Sequence, residues 1–241
     1  KDINARVKAT ALGIAAQDFL ATRVNFDELY SGWSEHEVPH ETVEAFYKHE
    51  PVHLEAELHP NEGVLLKSAA NPKHTARGIY RADSGLVEPL QHGDSHPWGL
   101  SARNLQQQFA FELLMRQDIQ LVTMLGQAGT GKTLLAIAAG LHLVLREHLY
   151  DRILVSRPIV PLGKDIGYLP GDKEEKLSHW MEPIFDNLEY ILRRQQPDLP
   201  PAGAKKPPKL LTPQVRIATF LDADTLELEA LTYIRGRSVS R

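Results

Sequence analysis

A chain of 241 residues can hold one large domain or two small ones, and 42% apolar with 24% charged residues is the composition of a protein that buries a core. The net charge of -4 excludes a global attraction to nucleic acid, so any such contact has to come from a local basic patch. The lack of cysteine excludes disulfides and thiolate metal sites; with no stretch able to span a bilayer and no signal-peptide core at the N-terminus, the chain reads as soluble and cytoplasmic, without a membrane partner.

The opening KDINARVKATALGIAAQDFLATRV predicts a helix from Arg6 to Leu12, stopped by Gly13, and a short strand over residues 18–24. One helix and one strand do not make a domain, so residues 1–24 read as the tail of a domain whose body lies upstream. Asp2, just before that helix, reads as a cap.

Residues 25–95 change character. Short apolar runs such as VHLEAEL and EGVLLKS are broken by Pro, Gly, Asn and Asp, which predicts a small β-rich module with tight turns and one or two helical turns between Thr42 and His49. His36, His40, His49, His53 and His59 crowd this stretch without the paired spacing of a zinc motif, and they read as surface or turn histidines. His92 and His96 read the same way. LQHGDSHPWG, dense in turn formers, marks the boundary to a second domain over residues 96–241.

Helical periodicity follows from Asn104 to Met115. Asn104 and Gln107 form NxxQ there; an amide so placed can read both edges of an adenine, and the alternative is a polar outer helix face. Residues 119–125 are apolar and predict a buried strand, which leads into GQAGTGKT and a run of helix formers from Thr133. Gly126, Gln127, Ala128, Gly129, Thr130, Gly131, Lys132 and Thr133 thus lie where a strand turns into a helix. Inward backbone N–H groups and the helix dipole at such a turn favour the phosphates of a nucleotide. Lys132 can set an ammonium between the terminal phosphates, and the Thr133 hydroxyl can complete a magnesium site. ATP and Mg are the cofactors this pattern predicts.

A second buried strand is predicted over residues 153–156, which makes a strand, helix, strand unit of a doubly wound parallel sheet. Ligands of such sheets lie beyond the carboxyl ends of the strands, where Ser156, Arg157 and a long glycine-punctuated loop would emerge. Lys164, Lys173 and Lys176 are candidates there for phosphate oxygens, with solvated surface as the alternative. Residues 174–192 predict a helix whose apolar positions include Leu177, Met181, Ile184, Phe185, Leu188 and Ile191. RRQQPDLPPAGAKKPPKLLTP reads as an extended solubilising insertion, although Lys205, Lys206 and Lys209 could graze RNA.

GQAGTGKT, SRPIVPLGKDIGYLPGDKEEK and LTYIRGRS together resemble the PhoH-like ATPases, in the form that carries an N-terminal PIN domain. The resemblance implies a remnant of a PIN domain, a connector module and a RecA-like P-loop sheet with helices on both faces. It implies adenine reading by NxxQ and RNA or subunit contacts at Arg157, Lys164 and Lys173. It further implies assembly into rings, commonly hexamers, and ATP hydrolysis coupled to RNA unwinding beside a PIN ribonuclease. Two departures stand against the full activity. Asp2 alone remains of the PIN carboxylates, and one carboxylate does not build that metal site. IATFLDAD, with Asp222 and Asp224, superficially resembles a strand ending in magnesium-binding acids, but in the family this segment is helix and turn before a strand. The acidic motif is expected just beyond RGRS, so this chain is expected to bind ATP better than it hydrolyses it; Arg235 and Arg237 within RGRS are candidates for phosphate or intersubunit contacts, with a surface pair as the alternative. A nucleotide-gated RNA-binding or assembly module without unwinding activity is the competing reading. A small-molecule kinase is a third, for which no catalytic base is visible.

Overall fold

The computed structural model describes residues 8–14, 30–157, 173–194 and 212–230. The first of these is a helical turn over residues 8–11 that ends at Gly13, whose φ of 70° lies in the left-handed region. The predicted strand over residues 18–24 lies outside the described residues, as do Asp2, Lys164, residues 195–211 of the proline-rich insertion, Arg235 and Arg237.

Next comes a four-stranded sheet in the order β1 (Trp33–Val38), β2 (Gly63–Ser68), β3 (Asn71–Arg81), β4 (Leu86–Pro89). β2, β3 and β4 form an antiparallel meander, whereas β1 runs parallel to β2, with Trp33 opposite Gly63 and Val38 opposite Ser68. Parallel neighbours need a crossover, and α1 (His40–Tyr47) lies within it. Val43 and Phe46 of α1 pack with Val64, Leu66, Ala76 and Val87 in the module's core. Gly78 is what lets the Phe46 ring lie on the sheet, because a Cβ there would stand 2.5 Å from the ring's Cζ. VHLEAEL does not form a ladder as its alternation predicts. Only Val52 bridges to Val87, and Leu54 and Leu58 settle against the core from irregular backbone.

α2 (Leu105–Met115) joins this module to the second domain. Helical spacing puts Phe109, Glu112 and Arg116 on one side and Gln107, Phe111 and Leu114 on the other. The first side meets the module. Phe109 lies against Gly63, where a Cβ would stand 2.7 Å from the ring, and Glu112, fully buried, accepts the backbone N–H groups of Gln91 and His92 at 2.9 and 2.6 Å as well as Arg116 at 3.3 Å. Asp118 then takes Arg116 at 3.0 Å and Arg81 of β3 at 2.5 Å, and the Arg116 hydrogen bond, ahead of the one from Arg81, holds its carboxyl below the ordinary range. The second side enters another core. Phe111 packs there with Leu141 of α3 (Lys132–Leu145), Leu188 of α4 (Lys173–Arg194), Ile217 of α5 (Pro213–Asp222) and Leu226 of β6 (Leu226–Ala230).

β5 (Ile153–Arg157) pairs in parallel with β6, Ile153 opposite Leu226, as expected for an α/β domain. The segment IATFLDAD is the end of α5 and a turn, with Asp222 the last helical residue and Asp224 at a φ of 53°, and a strand follows it. The expected strand over residues 119–125 is the main correction. It is irregular and joins no ladder among the described residues, and Leu121 and Leu125 are 81% and 73% exposed. Val122 and Met124 are half-buried and line a cavity together with residues of α2, the following loop and the β-module. A central strand is defined by neighbours on both sides, and periodicity carries no information on whether those neighbours are present.

Within the module, Glu62 is a buried carboxylate, 4% exposed. Burial pushes its pKa up, but hydrogen bonds from Ser34, the His59 backbone, Tyr30 and the His59 ring outweigh this and hold it below the ordinary value. A depressed folded-state pKa contributes stability that is complete above the unfolded value, about 4.3, and is lost as pH falls through the folded one. The protein is therefore expected to lose stability below about pH 4.3 with a slope that Glu62→Gln flattens, as read by urea unfolding at stepped pH.

Candidate nucleotide-binding site

The loop of residues 126–131 runs into α3 with three glycines at positive φ: Gly126 at 153°, Gly129 at 80° and Gly131 at 87°. Gly131 is doubly constrained. It holds the left-handed position at the helix N-cap, and a Cβ on it would stand 3.3 Å from Nε2 of Gln107. The first N–H groups of α3 have no intrahelical acceptor and face a dipole that favours anions.

Lys132 folds back over this loop. Its Nζ donates to the carbonyls of Gly126 at 3.0 Å and Gln127 at 2.7 Å, and to Oγ1 of Thr130 at 3.2 Å, which uses all three ammonium hydrogens. Thr130 in turn donates to the Gln127 carbonyl at 2.9 Å. The loop is thus organised around a cation whose present partners are neutral oxygens. Phosphate oxygens would exchange these for charge-assisted bonds, roughly twice as strong. Thr133, the residue that would hold magnesium, lies exposed in the first turn of α3.

Asn104 and Gln107 fall at the start of α2 in different roles. Asn104 is the N-cap, and its Oδ1 accepts the Gln107 N–H at 2.9 Å. The Gln107 side chain spans to the loop: its Oε1 accepts the Arg103 N–H at 2.7 Å, and its Nε2 donates to the Thr130 carbonyl at 3.2 Å. Each end of the amide makes one bond, which leaves its second N–H and the second lone pair of Oε1 beyond these two contacts. NxxQ spacing alone did not contain this link to the phosphate loop, because Thr130 is 23 residues away.

Beside these residues lies a cavity of about 440 Å³, bounded by Gln107, Phe109, Met124, Gly126, Thr130 and Lys132, with Gly32 and Trp33 of the β-module closing one side. Sequence reading missed Trp33. Its ring lies 6.2 Å from that of Phe109, a contact no local signal announces. Arg157 is the last residue of β5 and half-buried; Lys173 begins α4, and its side chain is outside the described residues. No helix among the described residues is long and apolar enough to cross a membrane.

The model of the family described as PhoH-like protein matches residues 99–241. Protein PhoH2 of Bacillus subtilis is 43% identical over 244 residues, which cover 99% of this chain and 52% of that protein. Protein PhoH2 of Mycolicibacterium smegmatis is 33% identical over 245 residues, covering 99% and 49%, and that of Thermobispora bispora 33% over 242 residues, covering 99% and 50%. The chain spans about half the length of these relatives. No solved structure matches it significantly. With the phosphate-loop half matched by a family model and the relatives aligned along nearly all of its residues, the chain belongs to the PhoH-like protein family.

Proposed function

We propose that the loop of residues 126–133 binds ATP with magnesium, and that in a protein of full PhoH2 length ATP hydrolysis drives RNA unwinding beside a PIN-type ribonuclease. The observation that carries the nucleotide assignment is the loop itself: glycines in left-handed backbone at a helix N-terminus, gathered around the Lys132 ammonium. In this reading the loop amides and Lys132 grip the polyphosphate, and the Thr133 hydroxyl helps hold magnesium. Bound magnesium would supply the neutralisation of phosphate charge that transfer requires. Gln107 and, secondarily, Asn104 select adenine. Arg157, Lys164 and Lys173 contact RNA or a neighbouring subunit of a ring, possible hexamers included.

Lys132→Ala is expected to weaken magnesium-ATP binding roughly 30- to 100-fold, about 2–3 kcal/mol, in a calorimetric titration, and unchanged affinity would remove the assignment. Gln107→Ala is expected to reduce the preference for ATP over GTP and to loosen the loop, because the bond to Thr130 goes with it. Equal selectivity in parent and variant would retire the adenine role.

One observation favours a second reading, a nucleotide-gated assembly or RNA-binding module. The Gln107 bond to Thr130 links the loop to α2, whose opposite side is fastened to the β-module, so loop rearrangement can reach the module without unwinding any RNA. ATPase rates of the full-length protein with and without single-stranded RNA separate the two. Stimulation together with strand separation is expected for the helicase; neither would leave the gated module standing.

A further inference from the structure

Outside the nucleotide loop, one cluster of side chains has the chemistry of a metal site. His40 and Glu44 stand one turn apart on α1, and His74 approaches them from β3. Glu44 Oε1 lies 3.8 Å from His40 Nε2 and 3.4 Å from His74 Nε2, and one ligand atom from each of the three residues falls within 4.8 Å of the others. Ligands around a tetrahedral zinc, with bonds near 2.1 Å, stand about 3.4 Å apart. Only modest closure is needed, and Glu44, 49% exposed in its side chain, is free to provide it.

We propose that His40, Glu44 and His74 form a binding site for a divalent transition-metal ion, zinc by preference, on the face of the β-module. Two imidazoles and one carboxylate are a borderline donor set that suits zinc and leaves a position open for water. Hard ions such as magnesium and calcium, which want several oxygens, are not expected there.

The surroundings hold the ligands as metal sites require. The other ring nitrogen of His40, Nδ1, lies 3.3 Å from the hydroxyl of Ser68, a residue only 1% exposed, which keeps Nε2 turned toward Glu44. The His74 ring is clamped by Tyr47, stacked at 5.3 Å, whose hydroxyl is tied to the Thr75 carbonyl at 2.8 Å. One feature works against tight binding. His74 Nδ1 is buried without a hydrogen-bond partner, so ligation through Nε2 moves the ring proton onto a nitrogen that has no acceptor. The site should therefore take zinc at micromolar rather than nanomolar concentration. Ser68 ends β2 and Gly63, which meets Phe109, begins it, so the site sits about 17 Å from the contact with α2. An ion here would join α1 to the β2–β3 hairpin.

Zinc titration of the whole tag-free chain, followed by calorimetry and by the visible absorption of cobalt as a substitute ion, tests this. One equivalent bound per chain is expected, with intense cobalt absorption of low-coordinate type and a raised melting temperature. His74→Ala and Glu44→Gln should each weaken zinc binding by roughly 10–100-fold, while His36→Ala and His53→Ala should not. Glu44→Gln replaces an exposed helical residue with another helix former, so its fold should survive even if His74→Ala does not. Absence of binding in the parent, or equal affinity in parent and Glu44→Gln, would overturn the proposal, and neither outcome bears on the nucleotide loop.

Discussion

The structure turns on a carboxylate that water does not reach. Glu112 is fully buried, and a charge in that position is tolerated only when its lone pairs are filled. The donors come from two places at once: Gln91 and His92 in the segment after β4, and Arg116 at the end of α2 itself. Because hydrogen bonds to a charged acceptor are directional and costly to lose, these contacts set how α2 lies against the module. The helix then has no solvent face broad enough to be polar. Phe109 fills the notch left by Gly63 on one side, and Phe111 enters the helical core on the other.

That placement carries over to the nucleotide loop. Gln107 opens the side of α2 that faces α3, and its amide reaches the Thr130 carbonyl across Gly131, whose left-handed backbone a side chain would strain. The loop is therefore held from two directions, by Gln107 outside and by Lys132 within. Through Gln107 the loop is tied to α2, whose other side meets the β-module.

Much of this was legible in the residues, and the exceptions share a cause. GQAGTGKT announced a turn into a helix because its chemistry is local: left-handed backbone needs glycine, and the helix formers follow at once. α1, α2, α4 and β5 were near their expected bounds for the same reason. VHLEAEL and residues 119–125 were misjudged because a strand exists only through its partners. The former touches the sheet at a single bridge, and the latter leaves Leu121 and Leu125 in solvent with no ladder among the described residues. The histidines keep the surface places expected of them, half-buried at His36 and exposed at His40, His49, His53 and His59. His40 and Glu44 have helical spacing, but His74 reaches them only through the fold of β3 beneath α1.

Residue identity alone announced the glycine-rich loop, the helix that follows it and the β-rich character of the segment before them, since each rests on periodicity or backbone preference within a few neighbouring residues. The fold decided the rest. Which side of α2 meets which domain, how Gln107 uses both ends of its amide, and where Trp33 and His74 arrive all depend on contacts between residues far apart in the chain, and no local pattern specifies those.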